Sequence, residues 1–221
     1  MIVGNWMQSS PATVTSDTLV ADAERILAEN SLNALPVVDG DGLRGLLTRA
    51  SCLRAHDFVT RKQDPHEFDF LVNRLKVRDL MVRTPETVRV DDTMEHCLRK
   101  GQALGIGQFP VMDGDRLAGL ISATEVFRLA SRFLGAFEQW SGLTLSLGES
   151  GHGTVGRIAA IVDGTGAVLH SIYPLHGPED DHPRRLVVRF ESDDLQAVVD
   201  AFEGAGYEIL EAEARVQTAH A

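Results

Sequence analysis

The sequence predicts an α+β protein: two tandem copies of one β-α-β-β-α module, followed by an unrelated β-α-β-β-α-β block. Three observations carry this. Residues 36–47 read PVVDGDGLRGLL and residues 110–121 read PVMDGDRLAGLI, identical at eight of twelve positions at an offset of 74. The same offset pairs PATV (11–14) with PETV (85–88), and Val3, Met7 and Asp17 with Val77, Met81 and Asp91. An internal repeat of this kind implies modules that bury a face against each other. Past residue 140 the repeat ends and the charge balance changes. Residues 141–221 hold 13 acidic and 5 basic side chains, against 19 and 16 in residues 1–140.

Each copy opens with a short apolar segment ending in Met, then a polar turn and a proline: WMQSSP (6–11) and LMVRTP (80–85). Short strands follow at TVTS (13–16) and TVRV (87–90). Asp17 or Thr18, and Asp91 or Asp92, can then cap helices over 18–30 and 92–104, because their side-chain oxygens accept orphan helix N–H groups. Next come ALPVVDGDG and QFPVMDGDR, where Asp-Gly between apolar runs signals a hairpin. The returning strands are LRGLLT and LAGLIS. Second helices are expected over about 49–60 and 123–139. The charged stretch 57–76, broken by Pro65, reads as a connector.

In the last block, LTLSL (143–147) alternates as a strand. ESGHGTVG (149–156) is a Gly-rich turn into the apolar helix RIAAIVDG (157–164). AVLHSIYPL (167–175) and LVVRFES (186–192) are strands around the polar turn 177–185. DDLQAVVDAFEGAG (193–206) is a helix with capping aspartates and a glycine stop. YEILEAE (207–213) is the last strand. This order is the ferredoxin-like pattern. The expected division is 1–60 and 77–140 for the repeats, 61–76 for the linker, 141–213 for the last domain and 214–221 for a frayed tail.

Composition excludes several classes. The net charge of −11 disfavours nucleic-acid binding, which needs a basic footprint. Apolar runs fall far short of the roughly 20 residues of a membrane helix, and no basic-then-apolar leader opens the chain. Cys52 and Cys97 have no metal-like spacing and suit a reducing, cytoplasmic setting. GHGTVG (151–156) matches G-x-G-x-x-G, but the position where an acidic residue should follow reads Pro174-Leu175-His176. About 70 residues are also too few for a doubly wound sheet. His152, His170, His176 and His182 form no zinc pattern. Glu179-Asp180-Asp181 reads as a solvated turn, and Ser9 and Ser10 as turn residues. With no nucleophile elbow and no phosphate loop, neither catalysis nor a cofactor is expected.

The Met-x3-Pro-x-Thr-Val openings, Pro-Val-x-Asp-Gly hairpins and Gly-Leu-Leu-Thr and Gly-Leu-Ile-Ser exits, each present twice and in order, resemble CBS domains paired as a Bateman module. The last block resembles an ACT domain, and the order CBS–CBS–ACT resembles the acetoin-utilisation AcuB-like proteins of bacteria. The CBS resemblance implies an adenosine-containing ligand between the repeats. There the Thr-Val strand meets the base, the residue before the hairpin proline packs on the ring, and Thr/Ser-x-x-Asp holds the ribose. One cleft would use Thr13, Val14, Leu35, Thr48 and Ser51; the other would use Thr87, Val88, Phe109, Ser122 and Glu125. The ribose aspartate is replaced in both copies, by Ser51 and by Glu125. A hydrogen bond to a charged group contributes about 1.5–3 kcal/mol against about 0.5–1.5 for a neutral one, so the second cleft is the better nucleoside site. Arg83 and Arg128 are placed for phosphates, with Arg49 and Arg54 as first-copy counterparts.

The ACT resemblance implies an amino-acid or other small effector at Gly151, His152, Gly153, Thr154 and Val155. Gly153 matches the family's helix-opening glycine; His152 stands where proline is common, and Gly151 where an acidic residue is. A domain kept only for packing and dimerisation is the alternative. Two readings stay open for the whole chain: a ligand-sensing regulator, or an adaptor whose clefts bind nothing. A homodimer is expected from the exposed helical faces and the prevalence of C2 pairs.

Overall fold

The computed structural model describes residues 1–60, 74–136, 138, 140–147, 154–175 and 184–214. The expected connector residues 61–73 lie outside these. The chain divides into two compact units, Met1–Arg128 and Leu129–Ala221.

In the first unit, copy one contributes α1 (Val20–Glu29), β1 (Ala34–Asp39), β2 (Gly42–Thr48) and α2 (Arg49–Thr60). Copy two contributes α3 (Val77–Leu80), β3 (Val88–Arg89), α4 (Met94–Leu104), β4 (Gln108–Asp113), β5 (Arg116–Ser122) and α5 (Ala123–Phe133), whose last turns belong to the second unit. Both hairpins form where Asp-Gly predicts them. Gly40 and Gly114, with φ of 62° and 59°, stand first in their two-residue turns, the arrangement of a type II′ turn. Both hairpins also carry a register shift at the same place, between Val37 and Val38 and between Val111 and Met112.

The expected first strand is short. In copy one it is a single bridge, Val14 to Val37; in copy two it is β3, parallel to β4. The expected aspartate caps are corrected. Asp17 pairs with Lys76 and Arg78, Asp91 pairs with Arg89, and Asp92 accepts from the Arg89 N–H. Thr18 instead accepts from the Thr15 N–H. The helices begin two residues later than expected. Thr93 Oγ1 caps α4 by accepting from the His96 N–H at 3.1 Å, while α1 has no side-chain cap.

The lead segments are exchanged between copies. Val3 N–H donates to Asp92 O and Met94 N–H to Met1 O; at the same offset, Val77 N–H donates to Thr18 O and Val20 N–H to Leu75 O. Each copy's lead thus satisfies a first-turn donor of the other copy's helix, the group a helix leaves open. Val77 is fully buried in the first copy's core with Val14, Val20, Leu27, Leu35 and Leu47. The segment after each Met then lies along the other copy's returning strand, Gln8 beside Leu120 and Val82 beside Leu46. Ala34, Leu46 and Leu120 form a small core shared by the two hairpins.

The helix expected over 123–139 ends at Phe133, because Gly135 adopts φ 67° and turns the chain. The second unit then runs β6 (Ser141–Leu147), α6 (Thr154–Gly164), β7 (Val168–Leu175), β8 (Arg184–Glu191), α7 (Leu195–Gly204) and β9 (Glu208–Glu213). Its sheet is antiparallel throughout, ordered β7-β8-β6-β9. Alternate residues Leu143 and Leu145, and Leu186, Val188 and Phe190, meet Ile158 and Val162 of α6 and Val198 and Phe202 of α7. Strand period two and helix spacing i, i+4 place these on facing surfaces. Asp194 caps α7 by accepting from the Ala197 N–H at 3.1 Å.

Candidate functional site

A cleft of about 330 Å³ opens between the copies of the first unit. One wall is the turn after α1, Asn30 to Ala34, with Gln8 beside it. The other is the end of β5 and the first turns of α5, bringing Ser122, Thr124, Glu125 and Arg128 together with Gln108 and Leu120.

The local structure of the second wall follows from Ser122-x-x-Glu125. The Ser122 N–H and Oγ–H both donate to Glu125 Oε2, at 2.9 and 2.6 Å, and Ser122 Oγ accepts from the Thr124 N–H at 3.2 Å. The carboxylate therefore sits at the start of α5 with Oε1 unbonded among the described residues. A carboxylate has acceptor capacity left in this state. Arg128, one turn on, is exposed at the cleft margin. The site offers a fixed acceptor and a nearby cation, enough to hold a hydroxyl pair and an anionic group on one ligand.

In the first copy the matching residues close on themselves. Ser51 Oγ lies 2.9 Å from Thr48 Oγ1, the Ser51 N–H donates to Thr48 Oγ1 at 3.0 Å, and Arg54 donates to Ser51 Oγ at 3.2 Å. Ser51 is buried. Arg49 donates to the Leu27 and Leu32 carbonyls.

The other expected site residues fall elsewhere. Thr13 lines a separate opening between the hairpin turns, with Gly40 and Asp41 facing Asp115 and Arg116. Val14, Leu35 and Val88 are buried core side chains, so only their backbone is available to a ligand. Thr87 O accepts from Lys100 Nζ at 2.8 Å, and that ammonium also pairs with Glu86 and lies 5.9 Å from the Phe109 ring centre. Phe109 is buried and lines a cavity on the helical side of its copy. Arg83 donates to the Arg78 carbonyl at 3.4 Å. Gly151, His152 and Gly153 lie outside the described residues. Thr154 opens α6, and Val155 beside it is exposed. His170 stacks on Trp140 with ring centres 4.1 Å apart.

Motif reading did not reach the Asn30–Ala34 wall or Gln8. Gln108 carried a usable signal, since it stands two residues before the hairpin proline, as Ala34 does in copy one. No described helix is long and apolar enough to cross a membrane. Among the described residues no group of three or more metal-ligating side chains occurs.

Two β-β-α hairpin modules, joined as one unit around a cleft, define a tandem-module architecture. The CBS domain profile matches residues 3–57 and 77–132, just over half of the chain, and the chain belongs to the CBS domain family. It is 26% identical over 136 residues to a CBS domain-containing protein of Dictyostelium discoideum, covering 61% of this chain and 94% of that one. It is 25% identical over 130 residues to L-aspartate semialdehyde sulfurtransferase of Methanocaldococcus jannaschii, covering 58% of this chain. It spans only 23% of that enzyme. Among solved structures, CBSX2 in complex with AMP has 27% identity and a TM-score of 0.50, covering 60% of this chain and 98% of that one. A Vibrio cholerae protein assigned to acetoin utilization, AcuB, shares the fold at 21% identity and a TM-score of 0.53, covering 63% of this chain and 96% of that one.

Proposed function

We propose that the protein is a non-catalytic regulator that senses an adenosine-containing nucleotide in the cleft at Ser122, Glu125 and Arg128. The observation that carries this is the convergence of those three residues on one opening against the Asn30–Ala34 turn of the other copy. Glu125 Oε1 would accept from the ribose hydroxyls, and Arg128 would face the phosphate. The complex of CBSX2 with AMP supports the ligand class. Because the two walls come from different copies, a bound nucleotide biases their relative position. Reciprocal coupling of about 1–3 kcal/mol is enough for regulation.

In this reading the second unit is an ACT-like domain that binds a small effector or passes the signal on, and the protein acts as a cytoplasmic homodimer. Acetoin utilization is a candidate setting. The division 1–60, 77–140 and 141–213 gives the working domain boundaries. A second reading has one specific support: in the first copy Thr48, Ser51 and Arg54 satisfy one another and present no carboxylate. If the second cleft is equally silent, the chain is an adaptor.

A thermal-shift series on the full chain with AMP, ATP, S-adenosylmethionine and amino acids separates the two. A ligand that binds the native state at 100 times its Kd adds about 2.7 kcal/mol of stability. An adenosine compound that raises Tm supports the sensor; a flat response to all of them supports the adaptor.

A further inference from the structure

The sheet of the second unit has two faces. One packs on α6 and α7 through Leu143, Leu145, Val188 and Phe190. Alternate strand residues point the same way, so the register sets rows of side chains across the other face. One row runs Ser171, Arg189, Gly142 and Glu213. The next runs Tyr173, Val187, Thr144 and Glu211. A face turned away from the helical layer should be wet, yet Val187 and Thr144 are each only 6% exposed. The two rows, Ser171 excepted, line a pocket of about 140 Å³ together with Leu134, one residue past α5.

The pocket is built around one arginine. Arg189 crosses its row over Gly142: its Cζ lies 2.9 Å from the place a Gly142 Cβ would take, so a side chain there would block it. Its Nη1 donates to Glu213 Oε2 at 2.8 Å, and its side chain is 18% exposed. Burial opposes the Arg189 charge, but Glu213 and Tyr173 beside it outweigh burial and hold the guanidinium protonated. Arg189 Nε, the Tyr173 hydroxyl and the Ser171 hydroxyl are all buried and have no hydrogen-bond partner among the described residues. Buried polar atoms are ordinarily paired with protein, water or ligand, and an unpaired one carries its full desolvation cost.

These atoms define what is missing. Nε–H can only donate, and the hydroxyls can donate too, so the β7–β8 end of the pocket lacks an acceptor. At the β9 end Glu211 and Glu213 only accept, and Glu211 Oε2 already takes the Thr144 hydroxyl at 2.8 Å. The lining holds two carboxylates against one guanidinium. A carboxylate ligand alone would add a third negative charge. An ammonium alone would leave Arg189 Nε and Tyr173 unpaired.

We propose that this pocket binds a compact zwitterion, a carboxylate and a primary ammonium joined by a short carbon link. Its carboxylate accepts from Arg189 Nε and Tyr173 Oη, and its ammonium donates to Glu211. Charge-assisted bonds of this kind are stronger than neutral ones. The pocket is smaller than the roughly 300–1,000 Å³ of drug-sized sites, so bulky side chains are excluded. The proposal rests on the reading of the second unit as an effector domain, and moves the effector from the turn at 151–155 to the sheet face without helices. It shares no residue with the nucleotide cleft and stands whether or not that cleft binds a nucleotide.

The test follows the Arg189 Nε–H resonance of the nitrogen-labelled full chain, assigned by its loss in Arg189→Lys. Glycine and L-alanine are the ligands, with acetate and ethylammonium as half-ligands. The zwitterions are expected to shift the resonance in a saturable way, and each half-ligand to bind about tenfold more weakly or worse. Tyr173→Phe and Glu211→Gln should each weaken glycine binding about tenfold, while Glu125→Ala keeps it. Tyr173→Phe should not lower the Tm of the unliganded protein, because it removes an unpaired buried hydroxyl. A lower Tm would mean that the hydroxyl has a partner inside the protein, and would overturn the proposal. Glycine binding that survives both Tyr173→Phe and Glu211→Gln unchanged overturns the site and leaves the effector reading standing. If the zwitterions move no amide of the chain at about 50 mM, the site and the effector reading fail together.

Discussion

The Met81 side chain lies over Gly45: its Sδ is 2.7 Å from where a Gly45 Cβ would stand, and Val82 O is 2.6 Å from it. The relation repeats at the offset, with Met7 Sδ and Gln8 O at 2.5 and 2.6 Å from the Gly119 position. The glycine in each Gly-Leu exit is thus where the other copy's lead segment crosses. A methionine can move aside, but Val82 O is backbone and accepts from the Leu46 N–H at 2.9 Å. Gly45→Ala should therefore destabilise the first unit by about 1–3 kcal/mol, the usual cost of overpacking. Urea unfolding of the variant checks this; an unchanged midpoint contradicts the crossing.

The exchanged leads make the copies interdependent. Val77→Ala removes a fully buried side chain from the core of copy one, and should cost about 2 kcal/mol even though it lies in copy two. A fragment of residues 1–76 lacks that plug and the Val77 N–H bond to Thr18 O, so its circular dichroism should be that of an unfolded chain. A cooperative folded fragment would contradict the exchange.

Asp17 ties copy one to the lead of copy two. Its carboxyl is held below the usual carboxylate range, first by the hydrogen bond and charge of Lys76 and then by Arg78. A depressed folded value adds stability above the unfolded carboxylate range, and the gain is lost as pH falls through the folded value. Asp17→Asn should be slightly less stable than wild type at neutral pH, and equal to it once the wild-type carboxylate is protonated. The group is exposed, so the difference is small and should shrink in salt. Parallel pH–stability curves would contradict the pairing.

The hairpins and helices were legible because Asp-Gly, proline and apolar spacing act locally. The lead exchange was not, although Val3 and Val77 hinted at it: local rules name a buried valine without saying whose core it enters. The stop at Phe133 was missed because Gly135 reads as a helix interruption only once its φ is known. At the cleft, Ser122, Glu125 and Arg128 were legible from one motif at the junction of a strand and the helix that follows it. The facing Asn30–Ala34 turn was not, since its chemistry is backbone and small polar side chains. Phe109 was expected on a nucleotide ring; it is buried, with its Cε2 3.5 Å from the place a Gly101 Cβ would take.

Both cysteines are buried, and burial pushes the Cys52 thiol up to about 11, with the Glu24 charge adding to the effect. A thiolate is then scarce at mildly alkaline pH. Ellman's reagent should label Cys52 in native protein far more slowly than in denaturant. Equal rates would place Cys52 at the surface.

The central claim is tested most directly by calorimetric titration of AMP into wild type, Glu125→Ala and Ser51→Ala, with circular dichroism to confirm that each variant is folded. Wild type is expected to bind through Glu125, whose loss removes a charged acceptor worth about 1.5–3 kcal/mol, so the affinity should fall at least about tenfold. Ser51→Ala should leave it unchanged, because Ser51 is buried and bonded to Thr48 and Arg54. AMP binding of equal strength in wild type and Glu125→Ala would contradict the account.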